Sequence, residues 1–191
     1  EVLSMMPDGI FVNSYSLLIP AQILEYVHYH AFNLHYALLP KNAGPNPIEW
    51  ALIHNDQECG VTLHVMDEEF DHGEIIAQIR FDISSDDDWV SLIKKSYLRC
   101  FDLCEFMLPR LMNGEWQSVA QDDALIRKNK KLPQDGLEIC FETMDDQTIL
   151  NRSRAQCDPG PGVYVLDNQQ RVYFTKKLDL SMIENLRKQY G

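Results

Sequence analysis

Apolar and polar positions along this chain change period several times, and each change marks an element. Residues Gly9 to Asn13 read as a short buried strand. Pro20 opens a helix over Ala21 to His28, with Ile23, Leu24 and Val27 as its apolar positions. Ala31 to His35 is a second short strand. A loop rich in Pro, Gly and Asn runs from Pro40 to Pro47, and Pro47 starts a helix carrying Ile48, Ala51 and Leu52. From Gly60 the period is two, through Val61-Thr62-Leu63-His64-Val65 and again from Glu74 to Phe81, which predicts antiparallel strands around an acidic loop ending at Gly73. Ser85 or Asp86 is then expected to cap a long amphipathic helix. Its apolar positions include Val90, Ile93, Tyr97, Phe101, Leu108 and Leu111, with a kink or early end at Pro109 and a stop at Asn113-Gly114.

Beyond Gly114 the chain reads as loop-rich, with turn clusters at Leu132 to Gly136 and Asp158 to Gly162. Val163 to Leu166 and Arg171 to Thr175 predict a hairpin around Asp167-Asn168, and Ser181 to Tyr190 a closing helix. Strand, helix, strand, loop and helix in the front portion is the order of a βαβ region, so the fold class is α/β. The chain is expected to divide into residues 1–114, with an antiparallel hairpin and a long helix, and residues 115–191, a small mixed α+β accessory module.

Composition narrows the picture. At 191 residues and 45% hydrophobic, the chain can bury roughly 70% of its unfolded surface. Its longest apolar runs, such as Leu17-Leu18-Ile19, fall far short of the roughly 20 residues of a membrane span, and no membrane is expected. Five cysteines at positions 59, 100, 104, 140 and 157 show no paired spacing, which points to a reducing cytoplasm. The net charge of −12 is uneven: residues 1–113 hold 17 acidic and 6 basic side chains, against 12 and 11 in the remainder. Such a front portion repels a polyanion, so a nucleic-acid partner is not expected. The one basic run, Arg127-Lys128-Asn129-Lys130-Lys131, reads as a solvated loop, with a phosphate contact as the alternative.

Candidate chemistry gathers around Asn33, His35 and Asp71. If Asn33-Leu34-His35 is a strand, both polar side chains share one face at the strand end, where βαβ sheets place their ligands. On pattern alone a hydrogen-bonded structural pair fits as well, and Asp71 can be a solvated carboxylate among Asp67, Glu68 and Glu69. His64, His72 and Asp71 match no standard zinc spacing, so no metal is expected.

Residues Phe32-Asn33-Leu34-His35-Tyr36-Ala37-Leu38-Leu39-Pro40 are followed by Gly44 and Pro47, then Gly60-Val61-Thr62-Leu63-His64, then Asp71-His72-Gly73-Glu74-Ile75-Ile76. This stretch resembles the folate-dependent formyltransferase family. Its Asn-x-His pair, Leu-Leu-Pro turn, Gly-x-Thr strand and Asp-x-Gly loop occur in order over residues 9–83. Leu132 to Gly136, Arg154-Ala155 and Pro159 to Gly162 resemble the segment that follows the catalytic domain in the methionyl-tRNA and sugar-nucleotide branches. Two positions depart: Ala43 stands where the family has Arg, and Ala37 where it has Ser. Both bear on acceptor contacts more than on formyl chemistry.

The resemblance implies the C-terminal half of a Rossmann-like formyltransferase domain, without the nucleotide-binding-like half that family members carry ahead of the first strand seen here. It implies transfer of a formyl group from 10-formyltetrahydrofolate to a small-molecule amine, foremost an amino sugar nucleotide. Methionyl-tRNA formyltransferase and a formyltetrahydrofolate hydrolase or non-catalytic folate-binding relative are the alternatives; a homo-oligomer is an allowed assembly. By the same resemblance Asn33 donates to a developing oxyanion, His35 bonds to it or takes the amine proton, and Asp71 orients His35. Tyr15, Ser16, Leu17 and Leu18, with Asp67, Glu68 and Phe70, are expected at the folate.

Overall fold

The computed structural model describes residues 2–28 and 30–191. Its first sheet follows chain order, β1 (Ile10–Asn13), β2 (Ala31–His35), β3 (Glu58–Val65) and β4 (Ile75–Asp82). Helix α1 (Ala21–Tyr26) crosses from β1 to its parallel neighbour β2, and β3 and β4 continue antiparallel. Helix α2 (Pro47–Ile53) lies between β2 and β3, with Pro47 in its first turn, where a missing N–H is no loss. Helix α3 (Trp89–Met112) follows β4.

Helix α3 corrects two expectations. Its cap is Asp88, not Ser85 or Asp86: Asp88 Oδ1 accepts the Ser91 N–H at 2.9 Å and Ser91 Oγ accepts the Asp88 N–H at 3.0 Å, a reciprocal capping box. Its buried stripe is Leu92, Ser96, Cys100, Leu103 and Met107, whereas Tyr97, Phe101 and Leu108 are exposed. Apolar residues occupy more than one side of this helix, so periodicity alone does not choose the inner face. The inner face carries small side chains, Ser96 and Cys100, and the Ser96 hydroxyl is satisfied by the Leu92 carbonyl at 2.9 Å. The helix runs through Pro109 to Met112 and stops at Asn113 and Gly114, whose φ is 71°. Its inner face joins Phe32, Leu34, Leu52, Val61 and Leu63 in the main core.

A second core, with Ile139, Phe141, Ile149, Val163 and Ile183 at its centre, is formed by residues 137–190. Its elements are β5 (Leu137–Glu138), α4 (Asp146–Gln156), β6 (Val163–Asp167), β7 (Gln170–Phe174) and α5 (Leu180–Tyr190). The β6–β7 turn places Asn168 and Gln169 at positive φ, as a two-residue hairpin requires. Helix α4 falls in a stretch that reads as loop. Much of its buried face is polar (Asn151, Ser153, Arg154 and Gln156), so hydrophobic periodicity does not report it. Between the two cores, the segment after α3 returns to the first sheet: Val119 exchanges two backbone bonds with Ile75, at 2.8 and 2.9 Å, and Trp116 meets Phe32 edge-on. Among the described residues no helix is long and apolar enough to cross a membrane.

The loop joining β3 to β4 returns so tightly that a Cβ on Gly73 would lie 1.9 Å from the Val65 carbonyl oxygen. Gly73→Ala is therefore expected to cost about 1–3 kcal/mol, as overpacking does. Urea unfolding checks this; an unchanged midpoint would refute it.

Candidate active site

Strand β2 alternates, so Phe32 and Leu34 enter the core while Asn33 and His35 emerge together on the other face. Antiparallel pairing with β3 sets His64 opposite Asn33 and Thr62 opposite His35. Thr62 fixes the turn beyond β2: its hydroxyl donates to the Ala37 carbonyl at 2.6 Å and accepts the Leu39 N–H at 3.2 Å. Asp71 reaches the same place from the β3–β4 loop. Its φ of 55° is rare for a side-chain-bearing residue, and strain of this kind collects at functional sites. Gln121 locks that conformation by donating to the Asp71 and Gly73 carbonyls at 2.9 and 2.8 Å.

The Asp71 carboxylate is the hub. Oδ2 accepts the Gly44 N–H at 2.8 Å, and Oδ1 faces His35 Nδ1 at 3.3 Å, Asn33 Nδ2 at 3.4 Å and His64 Nε2 at 3.6 Å. Burial pushes its pKa up, but His64, His35 and the Gly44 N–H outweigh that and hold it below the usual carboxylate range. His64 fixes Asn33. Its Nδ1 lies 2.8 Å from the Val65 carbonyl, so Nδ1 carries the hydrogen and Nε2 accepts; Asn33 must then turn its NH2 group toward it, at 3.0 Å.

His35 is 6% exposed, and its ring lies between two acceptors: the Asn42 carbonyl, 2.8 Å from Nε2, and Asp71 Oδ1 at Nδ1. Burial pulls its pKa below that of a free imidazole; Asp71 and the Asn42 carbonyl pull the other way and His64 adds a little to the lowering. A neutral ring has one hydrogen for these two acceptors, and the shorter contact, at Nε2, favours placing it there. Protonation would satisfy both acceptors at once.

These groups line a cleft of about 820 Å³. Every residue expected at the site from the sequence borders it: Asn33, His35 and Asp71, and also Tyr15, Ser16, Leu17, Leu18, Asp67, Glu68 and Phe70. Pattern reasoning did not assign His64, Lys128, Asn129 or Lys131, which border it too. For His64 the available signal was its alternation with Thr62 on a strand facing Asn33. The basic run keeps Lys128, Lys130 and Lys131 exposed, as a solvated loop would, but its backbone and Arg127 are docked. Its backbone pairs with residues 40–43 through Arg127 N–H to the Pro40 carbonyl (3.1 Å), Ala43 N–H to the Arg127 carbonyl (3.0 Å) and Asn129 N–H to the Ala43 carbonyl (2.7 Å), while Arg127 forms an ion pair with Asp56. His72 turns away from Asp71 to Asp67, 2.7 Å distant, which raises its pKa. Among the described residues no three His, Cys, Asp or Glu side chains are grouped to hold a metal ion.

An Asn, a His and an Asp converge at a strand end of this α/β sheet, a set of side chains able to donate a hydrogen bond and to accept a proton. The family model for formyl transferase matches residues 1–97, and the chain belongs to that family. Three solved structures share its fold. A 4-N formyltransferase from Francisella tularensis is 23% identical, with 93% of this chain and 74% of that one covered and a TM-score of 0.80. The formyltransferase PseJ from Anoxybacillus kamchatkensis, in complex with UDP-4,6-dideoxy-4-formamido-L-AltNAc and tetrahydrofolate, is 26% identical, with 64% of each chain covered and a TM-score of 0.60. HypX from Aquifex aeolicus, in complex with tetrahydrofolic acid, is 22% identical, with 89% of this chain and 29% of that one covered and a TM-score of 0.73. The chain thus spans from under a third to about three quarters of these proteins.

Asp71→Asn keeps the side chain's size and removes its charge. Because an anion beside the ring favours imidazolium, the His35-linked inflection in the pH–rate profile is expected to move to lower pH. An inflection that stays in place or rises would show that Asp71 does not act on His35.

Proposed function

We propose that this chain is the catalytic part of an N-formyltransferase that carries a formyl group from 10-formyltetrahydrofolate to the amine of a nucleotide-linked amino sugar. The observation that carries the reading is the His35 ring between two acceptors with the Asn33 amide beside it. Residues 1–114 hold this chemistry. Residues 115–191 form the accessory module, whose leading segment lends the cleft its basic rim.

The walls fit the two substrates. On one side Tyr15, Leu17, Leu18 and Phe70 are exposed apolar side chains bordering a cavity, with Leu17 at 64% exposure, a surface that a flat heteroaromatic ring would cover. The tetrahydrofolate carried by the Anoxybacillus and Aquifex proteins supports that occupant. Lys128, paired with Glu69 at 2.9 Å, and Lys131 border the same cleft and offer cations to the phosphates of a nucleotide sugar. The nucleotide sugar bound by the Anoxybacillus protein supports this half of the reading. Five free thiols accord with a reducing cytoplasm as the setting.

10-Formyltetrahydrofolate supplies the formyl carbon in activated form; the rest is the work of side chains. Asn33 Nδ2 donates a hydrogen to the oxygen on which negative charge develops, sharing the hydrogen that makes only a long 3.4 Å contact with Asp71. His35 Nδ1 takes the proton of the attacking amine as the new N–C bond forms, and that proton is returned to N10 of tetrahydrofolate as the C–N10 bond breaks. Between these two transfers the ring carries hydrogen on both nitrogens, each facing its acceptor, and these two contacts offset part of what burial costs the imidazolium.

Incubation of 10-formyltetrahydrofolate with a panel of amines tests the reading. Transfer to a nucleotide-linked amino sugar is expected. Formate release without any amine would make the protein a hydrolase, and transfer only to initiator methionyl-tRNA would assign it to the tRNA branch. Asn33→Ala is expected to lower kcat by about 10²–10³-fold with folate binding nearly unchanged, because the bond to the oxyanion strengthens only as charge develops. Wild-type turnover in that variant would remove Asn33 from the mechanism.

A further inference from the structure

We infer that Arg127 is a positioning residue: with Asp56 it clamps Asn42, and the Asn42 carbonyl in turn sets the orientation and tautomer of His35. The inference rests on the formyl-transfer reading above and adds to it a control on the proton acceptor from a distant part of the chain.

The contact from His35 Nε2 to the Asn42 carbonyl, 2.8 Å, is the shorter of the ring's two and competes with Asp71, 3.3 Å from Nδ1, for the hydrogen of the neutral ring. That carbonyl belongs to a residue with φ of 56° in a loop, so its direction depends on what restrains Asn42. Asn42 is buried, at 4% exposure, and its side chain is fully engaged. Nδ2 donates to Asp56 Oδ2 at 2.8 Å; Oδ1 faces Arg127 Nη2 at 2.9 Å, Asn129 Nδ2 at 3.3 Å and His54 Nδ1 at 3.3 Å. The same Arg127 Nη2 donates to Asp56 Oδ2, closing a triangle of guanidinium, carboxylate and amide. Asp56 comes from the turn after α2 and Arg127 from the segment after α3, so separate stretches of chain meet on this one loop residue. Trp50 stacks on His54, with ring centroids 5.1 Å apart.

A loop stabilised only by its backbone would not need this set. Main-chain bonds already hold residues 40–43 against 127–129. The Arg127 guanidinium adds restraint at the one residue whose carbonyl meets the catalytic ring. The charged and titratable groups that bear on His35 are Asp71 and His64 directly, and Asp56, Arg127 and His54 through Asn42. Loosening the clamp weakens one of the two acceptors of the protonated ring, which lowers the affinity of His35 for its proton and lets the two tautomers mix.

The test compares Arg127→Ala and Arg127→Lys in the full chain, with folate binding as the check of folding. In Arg127→Ala, kcat is expected to fall about 10–100-fold, the scale of a slightly misplaced reacting group, and KM for the amine to stay within about twofold. The His35-linked inflection should move to lower pH, and ring nitrogen NMR should show hydrogen divided between Nδ1 and Nε2. Arg127→Lys restores a cation that can reach both oxygens and should recover much of kcat. A folded Arg127→Ala protein with wild-type kcat, inflection and tautomer would overturn the clamp. Should Arg127→Ala not fold, Asp56→Asn, which also breaks the ion pair, is measured by the same readouts, and wild-type values in it overturn the clamp equally. If the wild-type protein transfers formyl to no amine, the functional reading fails, and the His35 tautomer in these variants decides the clamp separately.

Discussion

The Asp71 carboxylate is a charge taken out of water, with 11% of its side chain exposed, and much of the site is arranged to make that tolerable. An isolated buried carboxylate costs several kcal/mol, so it must be met by hydrogen bonds and opposite charge. The Gly44 N–H and the Asn33 amide meet it, from the loop after β2 and from β2 itself, and the rings of His35 and His64 lie beside it at 3.3 and 3.6 Å. Gln121 ties its backbone to the segment after α3. The linkage is that of a depressed carboxylate: the stabilisation is complete above the unfolded-state pKa of about 3.9 and is lost as pH falls through the lower folded value.

The same carboxylate gives the cleft its proposed chemistry. A buried imidazole beside solvent alone would lose affinity for protons and gain nothing in return. Burial lowers the ring's affinity for a proton, while Asp71 and the Asn42 carbonyl match the cation it becomes on accepting one. The matching is paid for during folding, when the acceptors are fixed in place, and no reorganisation is needed when the proton arrives. His64 does the corresponding work for Asn33 by fixing which end of the amide faces the cleft.

Much of this was legible in the sequence. Period-two alternation located β3 and β4, Pro47 the start of α2, and the Asn-x-His spacing the two side chains that share a face of β2. The inner face of α3 was not legible, because Tyr97, Phe101 and Leu108 are as apolar as the residues that are buried. Helix α4 was not legible because much of its buried face is polar and takes long-range partners, such as the Leu178 N–H on Ser153 and Asn55 on Arg154. The docking of Arg127 on Asn42, 85 residues away, has no periodic signature; a basic run in an acidic chain signals a partner without saying which.

The proposed reaction needs a His35 ring that is neutral at rest, so its protonation state in the substrate-free protein is the decisive quantity. Ring nitrogen NMR of the wild-type protein across the pH range reads it. A neutral ring with hydrogen on Nε2 is expected at pH 7, with titration below the ordinary imidazole value of about 6.5. A ring carrying both hydrogens at that pH, or a neutral ring with its hydrogen on Nδ1, would contradict the proposed role of His35.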